Sequence, residues 1–393
     1  MRGGVVAARS FLAAGVRCGI KQRGRDLALV YSQRPAAAAG TFTTNRARAA
    51  PGIVTGKKVS AGVAQAIVVN SGNANSGTGK RGLENAREMA LMAAKALGLD
   101  EKLTLVASTG LIGVQLPMER IEVGVREAAG QLSRRGGDDA ARAIMTTDTV
   151  PKQAAVEFRL SFGKARLGGM AKGAGMIAPQ MATMLCFLTT DVSMERDRLQ
   201  AALRKAVDSS FNCITVDGDT STNDMVLLLA NGAVGELKKE ADIARFEQAL
   251  HRVCMRLALA IVSDGEGATK LIRVTVQAAA NERQARTAAR TIANSLLVKT
   301  ALFGSDPNWG RVLAAVGRSG AEFDPAKLDI DLAGMAMMRR GEPVDFDRKA
   351  ARRNAKRKQV EIAVRLNAGA ARAEMWTCDI SYDYVRLNAE YET

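Results

Sequence analysis

The sequence predicts a layered fold that mixes helices and strands, of the α/β or α+β class. Strand-like and helix-like segments alternate from end to end, and neither an internal repeat nor a low-complexity linker interrupts them. Such alternation is typical of helices that cover sheets in layers. With 393 residues, the chain is long enough for a large core, and its length favours two or more packed units.

Each element is predicted from the spacing of its apolar residues and from the turn residues that flank it. In chain order these are strand 66–70, helix 83–97, strand 103–108, helix 117–132, strand 152–160, a buried strand within 172–191, helix 193–207, strand 214–219, helix 242–262, strand 271–280, helix 282–298, and strands 360–366 and 375–381. Pro117 suits a first helical turn, because that position needs no backbone N–H donor. Nothing in this series places a boundary between domains.

Composition favours a soluble globular protein, since 47% of the residues are hydrophobic and 24% are charged. The five cysteines have no CxxC spacing, and the basic N-terminal segment runs directly into ordered-looking sequence, as in a native N-terminus. We therefore expect reduced thiols and a cytoplasmic protein. No apolar run reaches membrane-spanning length, so no membrane partner is expected.

The net charge of +16 is densest at RKAARRNAKRK, residues 348–358. A basic surface can attract nucleic acid or acidic substrates, but this run has no aromatic platform and no nucleic-acid motif beside it. We interpret it as the solvated face of a helix and expect no nucleic-acid partner. The non-enzymatic alternative, a nucleic-acid-binding protein, would bind with a steep salt dependence.

Histidine is nearly absent: His251 is the single one, and it lies among apolar residues in a predicted helix. We expect a core or half-buried side chain there. A single histidine in such a position disfavours a Ser-His-Asp catalytic triad or a Cys-His catalytic dyad. The chain also has no residues at the spacing of zinc ligands, so no metal site is predicted.

A glycine-rich stretch, GTGKRG at 77–82, resembles a dinucleotide-binding loop between a strand and a helix. The whole loop is longer than the tight dinucleotide turn, and the next strand ends in Ser108 instead of an acidic residue. A P-loop interpretation fails as well, because Ala74 and Arg81 occupy the positions of its first glycine and its Ser/Thr. We therefore predict no nucleotide site.

The segment KGAGMIAPQMATMLCFLTTD, residues 172–191, places Thr183 directly behind Ala182 at the start of an apolar strand. A threonine can act without histidine if its own α-amino group takes the proton, which requires it to begin a chain. An α-amine titrates near 7.7–8.0, so it can serve as a base at neutral pH. The competing interpretation is a β-branched residue that merely begins a strand.

Together with this segment, further motifs resemble the ArgJ family, the ornithine acetyltransferases (glutamate N-acetyltransferases) of arginine biosynthesis. The motifs cover nearly the whole chain: FTTNRARAAP (42–51), VVNSGNAN (68–75), STGLIG (108–113), AIMTTDTVPK (143–152), FNCITVDGDTSTND (211–224), IVSDGEGATK (261–270), TIANSLLVKTALFGSDPNWGR (291–311) and CDISYDYVRLNAEYET (378–393).

The resemblance implies self-cleavage between Ala182 and Thr183, giving α chain 1–182 and β chain 183–393, which co-fold and assemble as an α2β2 heterotetramer. It implies an αββα-type sandwich, similar to N-terminal nucleophile hydrolases but distinct in topology. Thr183 would carry an acetyl group from N2-acetyl-L-ornithine to L-glutamate by a ping-pong reaction. No cofactor is implied, although some relatives use acetyl-CoA as co-substrate.

The resemblance also implies roles for individual residues. Thr109 and Gly110 match the oxyanion-hole pair, and a backbone N–H beside a hydroxyl suits a developing oxyanion. The implied substrate-binding residues are Thr146 (preferred over Thr147), Lys172, Thr183, Glu266, Asn388 and Thr393.

Three positions depart from the family pattern: Gly77, Ala174 and Gln180 stand where cysteine, serine and asparagine are common. The effect of these departures on cleavage and activity stays open. A second enzymatic interpretation is a self-cleaving aminopeptidase or amidase of similar architecture, in which water replaces glutamate as the acceptor.

Overall fold

The protein is represented by a computed structural model that describes residues 3–178 and 184–390. Ala182, Thr183, Gln180 and Thr393 lie outside the described residues. The chain divides into two compact units. Among the described residues, the first unit runs to Asn212 and resumes at Asp219–Ile261, and the second comprises Cys213–Gly218 and residues 262–390.

Among its described residues, the first unit contains one mixed sheet and six α-helices. The strands are β1 (Phe11–Val16), β2 (Leu27–Phe42), β3 (Val63–Asn73), β4 (Thr104–Leu111), β5 (Lys152–Leu160), β6 (Gly163–Lys172), β7 (Leu185–Ser193) and β8 (Met225–Glu236). The helices are α1 (Ala50–Val59), α2 (Gly79–Leu97), α3 (Met118–Gly130), α4 (Gly137–Ala143), α5 (Arg196–Asp208) and α6 (Glu240–Ser263), of which the last two residues of α6 belong to the second unit. The strand order is β4-β3-β2-β8-β7-β6-β5, and β1 pairs with β2.

The central strands β7 and β8 pair in parallel and are buried over most of their length. Their apolar runs LCFL and MVLLLA explain this position, because a strand covered on both faces needs apolar residues at every position instead of alternate ones. β6 pairs antiparallel with β7, and its last residue, Lys172, lies opposite Leu185 at the start of β7. This register places Lys172 beside the strand that follows the predicted cut.

The second unit contains, among its described residues, a six-stranded sheet and five further helices. Its strands are β9 (Leu271–Ala279), β10 (Asp329–Leu332), β11 (Met335–Arg339), β12 (Glu342–Pro343), β13 (Gln359–Arg365) and β14 (Ala371–Cys378). Its helices are α7 (Glu282–Ala293), α8 (Leu296–Phe303), α9 (Trp309–Gly317), α10 (Arg348–Ala355) and α11 (Tyr382–Glu390). The strand order is β12-β11-β10-β13-β9-β14, and β9 and β13 pair in parallel while the other neighbours pair antiparallel.

The mixed, layered α/β class is confirmed, but two element predictions are wrong. Residues 214–219 form an irregular, bent segment instead of a strand, with one isolated bridge from Ile214 to Trp376. The helix predicted over 282–298 ends at Ala293, and a new helix begins at Leu296. The break arises because the Ser295 hydroxyl accepts the N–H of Val298, which is the N-cap arrangement that starts a helix.

The prediction for His251 is also wrong, because its side chain is exposed. On α6 the buried positions include Leu250, Val253 and Cys254, and the turn of the helix carries His251 to the other side. There its Nδ1 lies 2.9 Å from the Ser209 hydroxyl oxygen.

The basic run at 348–358 forms α10 and the turn after it. Ala351 and Ala355 are buried, while its seven lysine and arginine side chains are exposed, which confirms the predicted solvated face. Among the residues that the structure describes, no helix is both long and apolar enough to cross a membrane.

Candidate active site

Thr109 and Gly110 lie together near the end of β4, where β3 and β4 pair in parallel. Gly110 has φ +129°, and a Cβ there would lie 2.3 Å from the carbonyl carbon of Gly72. The backbones of the two strands therefore approach too closely for any other residue. The bulge in β3 at Gly72 and Asn73 accompanies this close approach.

The strand end that carries Thr109 is held by buried amide side chains. The amide of Asn223 donates to the Ser108 carbonyl oxygen at 2.8 Å and to the Ala74 carbonyl oxygen at 2.6 Å. The Ser108 hydroxyl donates to the side-chain oxygen of Asn70 at 2.6 Å. Such satisfied buried groups restrict where Thr109 and Gly110 can lie.

Lys172 is buried, and its ammonium nitrogen lies 3.3 Å from the Thr109 hydroxyl oxygen. An ammonium group has donors only, so the hydroxyl is the acceptor in this contact. The proton of the Thr109 hydroxyl consequently remains available to a second acceptor. Two predicted site residues that are far apart in sequence are thus in direct contact.

Asp148 connects Thr146 to the same region. Its Oδ2 accepts the N–H of Thr146 at 3.0 Å, and its Oδ1 accepts the Lys152 ammonium at 2.6 Å and the N–H of Gly173, the residue after Lys172, at 2.7 Å. Burial alone raises the pKa of Asp148, but the charges of Lys172 and Lys152 and these hydrogen bonds outweigh it. The pKa of Asp148 therefore lies below its usual range, and the buried group is a carboxylate.

Asp224 holds the first described residue after the predicted cut. Its Oδ1 accepts the N–H of Met184 at 3.0 Å, and the Met184 carbonyl oxygen accepts the N–H of Met225 at 3.1 Å. The Oδ2 of Asp224 is buried and has no hydrogen-bond partner among residues 3–178 and 184–390. Burial raises the pKa of Asp224 well above its usual range, against the opposing effects of the Met184 N–H and the Lys172 charge.

Glu266 and Asn388 meet in the second unit, where the Asn388 amide donates to Oε2 of Glu266 at 2.9 Å. Glu266 is buried, whereas α11, which carries Asn388, has no buried residue. The Ser381 hydroxyl donates to the Gly267 carbonyl oxygen at 2.6 Å, and Asp379 accepts the N–H of Thr269 at 2.8 Å. These contacts attach the segment before α11 to the turn that carries Glu266.

Side-chain hydrogen bonds hold the segment at 74–82, which contains the glycine-rich stretch at 77–82. Asn75 accepts the Thr78 hydroxyl at 2.8 Å and donates to the Gly82 carbonyl oxygen, and the Ser76 hydroxyl bonds to that of Thr222. Residues 74–76, Thr78 and Gly82 are buried, whereas Gly77 and residues 79–81 are exposed. Gly77 has φ +68°, a backbone conformation that glycine adopts freely.

Sequence reasoning missed four polar partners of the predicted site residues and their strands: Asp148, Lys152, Asn223 and Asp224. All four lie within the family motifs. The sequence signal that could have found them was their position in AIMTTDTVPK (143–152), close to Thr146, and in FNCITVDGDTSTND (211–224). Within the described residues, no group of three or more His, Cys, Asp or Glu side chains could hold a metal ion.

Comparisons with known proteins identify the family of this chain. A sequence model of the ArgJ family matches residues 12–393. The arginine biosynthesis bifunctional protein ArgJ of Symbiobacterium thermophilum is 53% identical over 399 residues, covering 100% of this chain and 99% of that protein. The protein of the same name from Gloeobacter violaceus is 49% identical and covers 100% of this chain and 98% of its own.

Among solved structures, the arginine biosynthesis bifunctional protein argJ from Bacillus halodurans is 44% identical, with a TM-score of 0.51. The match covers 52% of this chain and 98% of that chain. The family match over nearly the whole chain and these full-length relatives lead to one conclusion: the chain belongs to the ArgJ family, as its motifs predicted.

Proposed function

We propose that this protein is an acetyltransferase of arginine biosynthesis that moves an acetyl group from N2-acetyl-L-ornithine to L-glutamate. The acetyl group is carried on Thr183, which becomes an N-terminal residue by self-cleavage after Ala182. Membership of the ArgJ family supports an enzyme of this pathway. Competing interpretations as an aminopeptidase or a nucleic-acid-binding protein have no comparable support.

The observation that carries the proposal is the contact between Lys172, at the end of β6, and Thr109, near the end of β4. Lys172 donates to the Thr109 hydroxyl at 3.3 Å and lies opposite Leu185 in the sheet. Leu185 is two residues beyond Thr183 in the chain. This contact supports the proposal because it joins the proposed oxyanion donor Thr109 to a residue that lies beside the start of β7.

Maturation begins when the Thr183 hydroxyl attacks the carbonyl carbon of Ala182. The C–N bond breaks, the nitrogen gains a proton, and Ala182 is held as an ester on the threonine oxygen. Water then hydrolyses the ester and leaves residues 1–182 with a carboxylate and Thr183 with a free α-amine. The methyl side chain of Ala182 leaves its carbonyl unhindered.

In the transfer reaction the free amine takes the proton of the Thr183 hydroxyl as its oxygen attacks the acetyl carbonyl. The oxyanion receives hydrogen bonds from the Gly110 N–H and the Thr109 hydroxyl, whose proton Lys172 leaves available. The C–N bond breaks, and ornithine leaves with the proton as an amine. The amine of glutamate then attacks the acetyl ester, releasing N-acetylglutamate and restoring the threonine.

The substrates of both half-reactions are amino acids with at least one carboxylate. We assign their binding to Thr146, Lys172, Glu266, Asn388 and Thr393. Glu266 suits an ammonium group, and Lys172 suits a carboxylate. The matured chains are proposed to form an α2β2 heterotetramer in the cytoplasm.

The proposal is tested first by the intact mass of the denatured protein, wild type beside Thr183→Ala. We expect two fragments, 1–182 and 183–393, from the wild type and one full-length chain from the variant. Incubation with N-acetylornithine alone should add one acetyl group to fragment 183–393, and glutamate should remove it as N-acetylglutamate. An uncut wild-type chain, or hydrolysis that ignores glutamate, would contradict the mechanism.

A second donor, acetyl-CoA, is proposed because the full-length relatives carry the name bifunctional. Acetyl-CoA would then acetylate Thr183, and the same glutamate step would follow. Release of free thiol from acetyl-CoA in the presence of glutamate measures this activity. A protein that transfers from N-acetylornithine but releases no thiol is restricted to recycling acetyl groups.

A further inference from the structure

The loop at residues 18–26 is held rigidly by one buried carboxylate. Asp26 accepts four successive backbone N–H groups: that of Cys18 on Oδ1 at 2.6 Å, and those of Gly19, Ile20 and Lys21 on Oδ2 at 3.0, 2.7 and 3.0 Å. Hydrogen bonds from several N–H groups to one carboxylate are strong because the acceptor is charged. The backbone of Lys21 therefore has a fixed position.

From this position the side chain of Lys21 passes over Gly72. A Cβ on Gly72, which has φ +94°, would lie only 2.6 Å from Cγ of Lys21. On its other side, Gly72 is the glycine that makes the close approach to Gly110. Because position 72 is a glycine, the aliphatic part of the Lys21 side chain fits beside the strand segment that lies close to Gly110.

The ammonium group of Lys21 donates to the Met145 carbonyl oxygen at 2.8 Å. The peptide that follows this carbonyl donates the N–H of Thr146 to Asp148, and Asp148 also accepts the N–H of Gly173. A continuous series of contacts therefore joins Lys21 to Thr146, Asp148 and the residue after Lys172. None of the residues between 19 and 26 was assigned a role in the reaction from the sequence.

Several charged groups interact around Asp148. Lys152 forms an ion pair with Asp148 at 2.6 Å, and both Lys172 and Lys21 act on the same region electrostatically. Burial lowers the pKa of Lys21, with Asp26 and Asp148 opposing that effect and Lys172 adding to it. Lys21 is therefore linked to the Asp148 region both electrostatically and through the Met145 carbonyl.

We propose that Lys21 is a positioning residue of the amino-acid substrate site. By holding the Met145 carbonyl, it keeps the turn that carries Thr146 and Asp148 in the geometry that accepts a substrate carboxylate. The inference rests on the proposed function, because it takes an amino-acid carboxylate as the ligand. The inference adds Lys21 to the residues of that site. In this role Lys21 contacts the turn at Met145 and Thr146 and does not contact the reacting atoms.

The test compares Lys21→Met with Lys21→Arg in the full-length, self-cleaved protein, with Arg23→Met as the matched control. Arg23 is an exposed cation in the same loop. Binding of L-ornithine is measured by titration calorimetry, and KM and kcat are measured for N-acetylornithine and glutamate. Lys21→Gln, which keeps a donor but no charge, serves in place of the methionine variant should that variant not fold.

We expect Lys21→Met to raise the ornithine Kd and both KM values about tenfold or more, the size expected for losing a hydrogen bond to a charged group. Its kcat and its cleavage into two fragments should stay close to those of wild type. Lys21→Arg should restore most of the affinity, and Arg23→Met should change nothing.

Unchanged Kd and KM in Lys21→Met would overturn the inference. Equal losses of affinity in Lys21→Met and Lys21→Arg, with lowered thermal stability in both, would also overturn it by indicating a purely structural lysine. A wild-type protein that binds ornithine but transfers no acetyl group would instead refute the proposed function, while the calorimetric comparison would still decide the role of Lys21.

Discussion

The ammonium nitrogen of Lys172, the last residue of β6, lies 3.3 Å from the hydroxyl oxygen of Thr109 on β4. Both side chains are buried. Because lysine only donates, this contact orients the hydroxyl with its proton directed elsewhere. The contact leaves the proton of the Thr109 hydroxyl available for the proposed oxyanion, and variants at Thr109 can test that role.

Removing that hydroxyl should impair acetyl transfer. Thr109→Val keeps the shape of the side chain but removes the donor, and we expect kcat/KM to fall by about 10²–10³, as when one oxyanion donor is lost. Thr109→Ser retains the hydroxyl and should keep most of the activity. Steady-state kinetics of both variants check this, and equal activity of Thr109→Val and wild type would contradict the oxyanion role.

Gly110 should not tolerate a side chain. In Gly110→Ala the new methyl group would meet the backbone of Gly72 at 2.3 Å, and φ +129° is strained for alanine. We expect a loss of unfolding free energy of about 3 kcal/mol or more, since strain and a backbone clash add.

Gly113→Ala is the matched control for Gly110→Ala. Gly113 has φ +85°, but no atom lies within 4 Å of the position that an added methyl group would take, so this variant introduces the backbone strain without the clash. Its cost should be about 1–2 kcal/mol. Denaturant unfolding measures both variants, and equal costs would mean that the approach of Gly72 to Gly110 is unimportant.

Asp148→Asn should destabilise the protein at neutral pH. The substitution removes the charged partner of one ion pair with the buried Lys152 ammonium, and breaking a buried pair typically costs about 3–5 kcal/mol. Asp138→Asn is the control, because its ion pair with Arg142 is exposed and should contribute less than about 0.5 kcal/mol.

The pH dependence of Asp148 has a definite sign. Its pKa is lowered in the folded protein, so its contribution to stability is present above the unfolded-state pKa of about 3.9 and is lost as the pH falls through the folded-state value. Wild type should therefore lose unfolding free energy in acid more steeply than Asp148→Asn. Parallel pH profiles for the two proteins would contradict the assignment of a buried carboxylate.

Asp224 should show the opposite sign. Its pKa is raised by burial, so the wild-type protein should lose unfolding free energy as the pH rises from about 4 toward the folded-state pKa. Asp224→Asn can still accept the Met184 N–H but has no proton to lose. Its stability relative to wild type should increase with pH over this range.

Asp224→Leu supplies the control for Asp224→Asn, because it leaves the buried Met184 N–H without its acceptor. It should be less stable than Asp224→Asn at every pH by about 1–3 kcal/mol. Denaturant unfolding at several pH values measures all three proteins. A stability difference between wild type and Asp224→Asn that stays constant with pH would contradict the raised pKa of Asp224.

Many of the secondary-structure elements and candidate site residues could be predicted from the sequence because local patterns specify them. Strand 152–160 matches β5 at both ends, since alternating apolar residues mark a half-covered strand. Motifs identified Thr109, Lys172, Glu266 and Asn388, and the structure places them in two contacting pairs. Where local signals competed, prediction failed: the Ser295 cap ended a helix that apolar periodicity alone would have continued.

Tertiary structure decided what those residues touch. The contacts of Lys21 with Met145, of Asn223 with Ser108 and of Asp224 with Met184 span 124, 115 and 40 residues. No sequence pattern specifies them, because a buried side chain chooses its partner from whatever the packed sheet brings within hydrogen-bond reach. Tertiary structure also decides why the pKa of Asp148 is lowered and that of Asp224 is raised. Both carboxyl groups are buried, but an ammonium group donates a hydrogen bond only to Asp148 of the two.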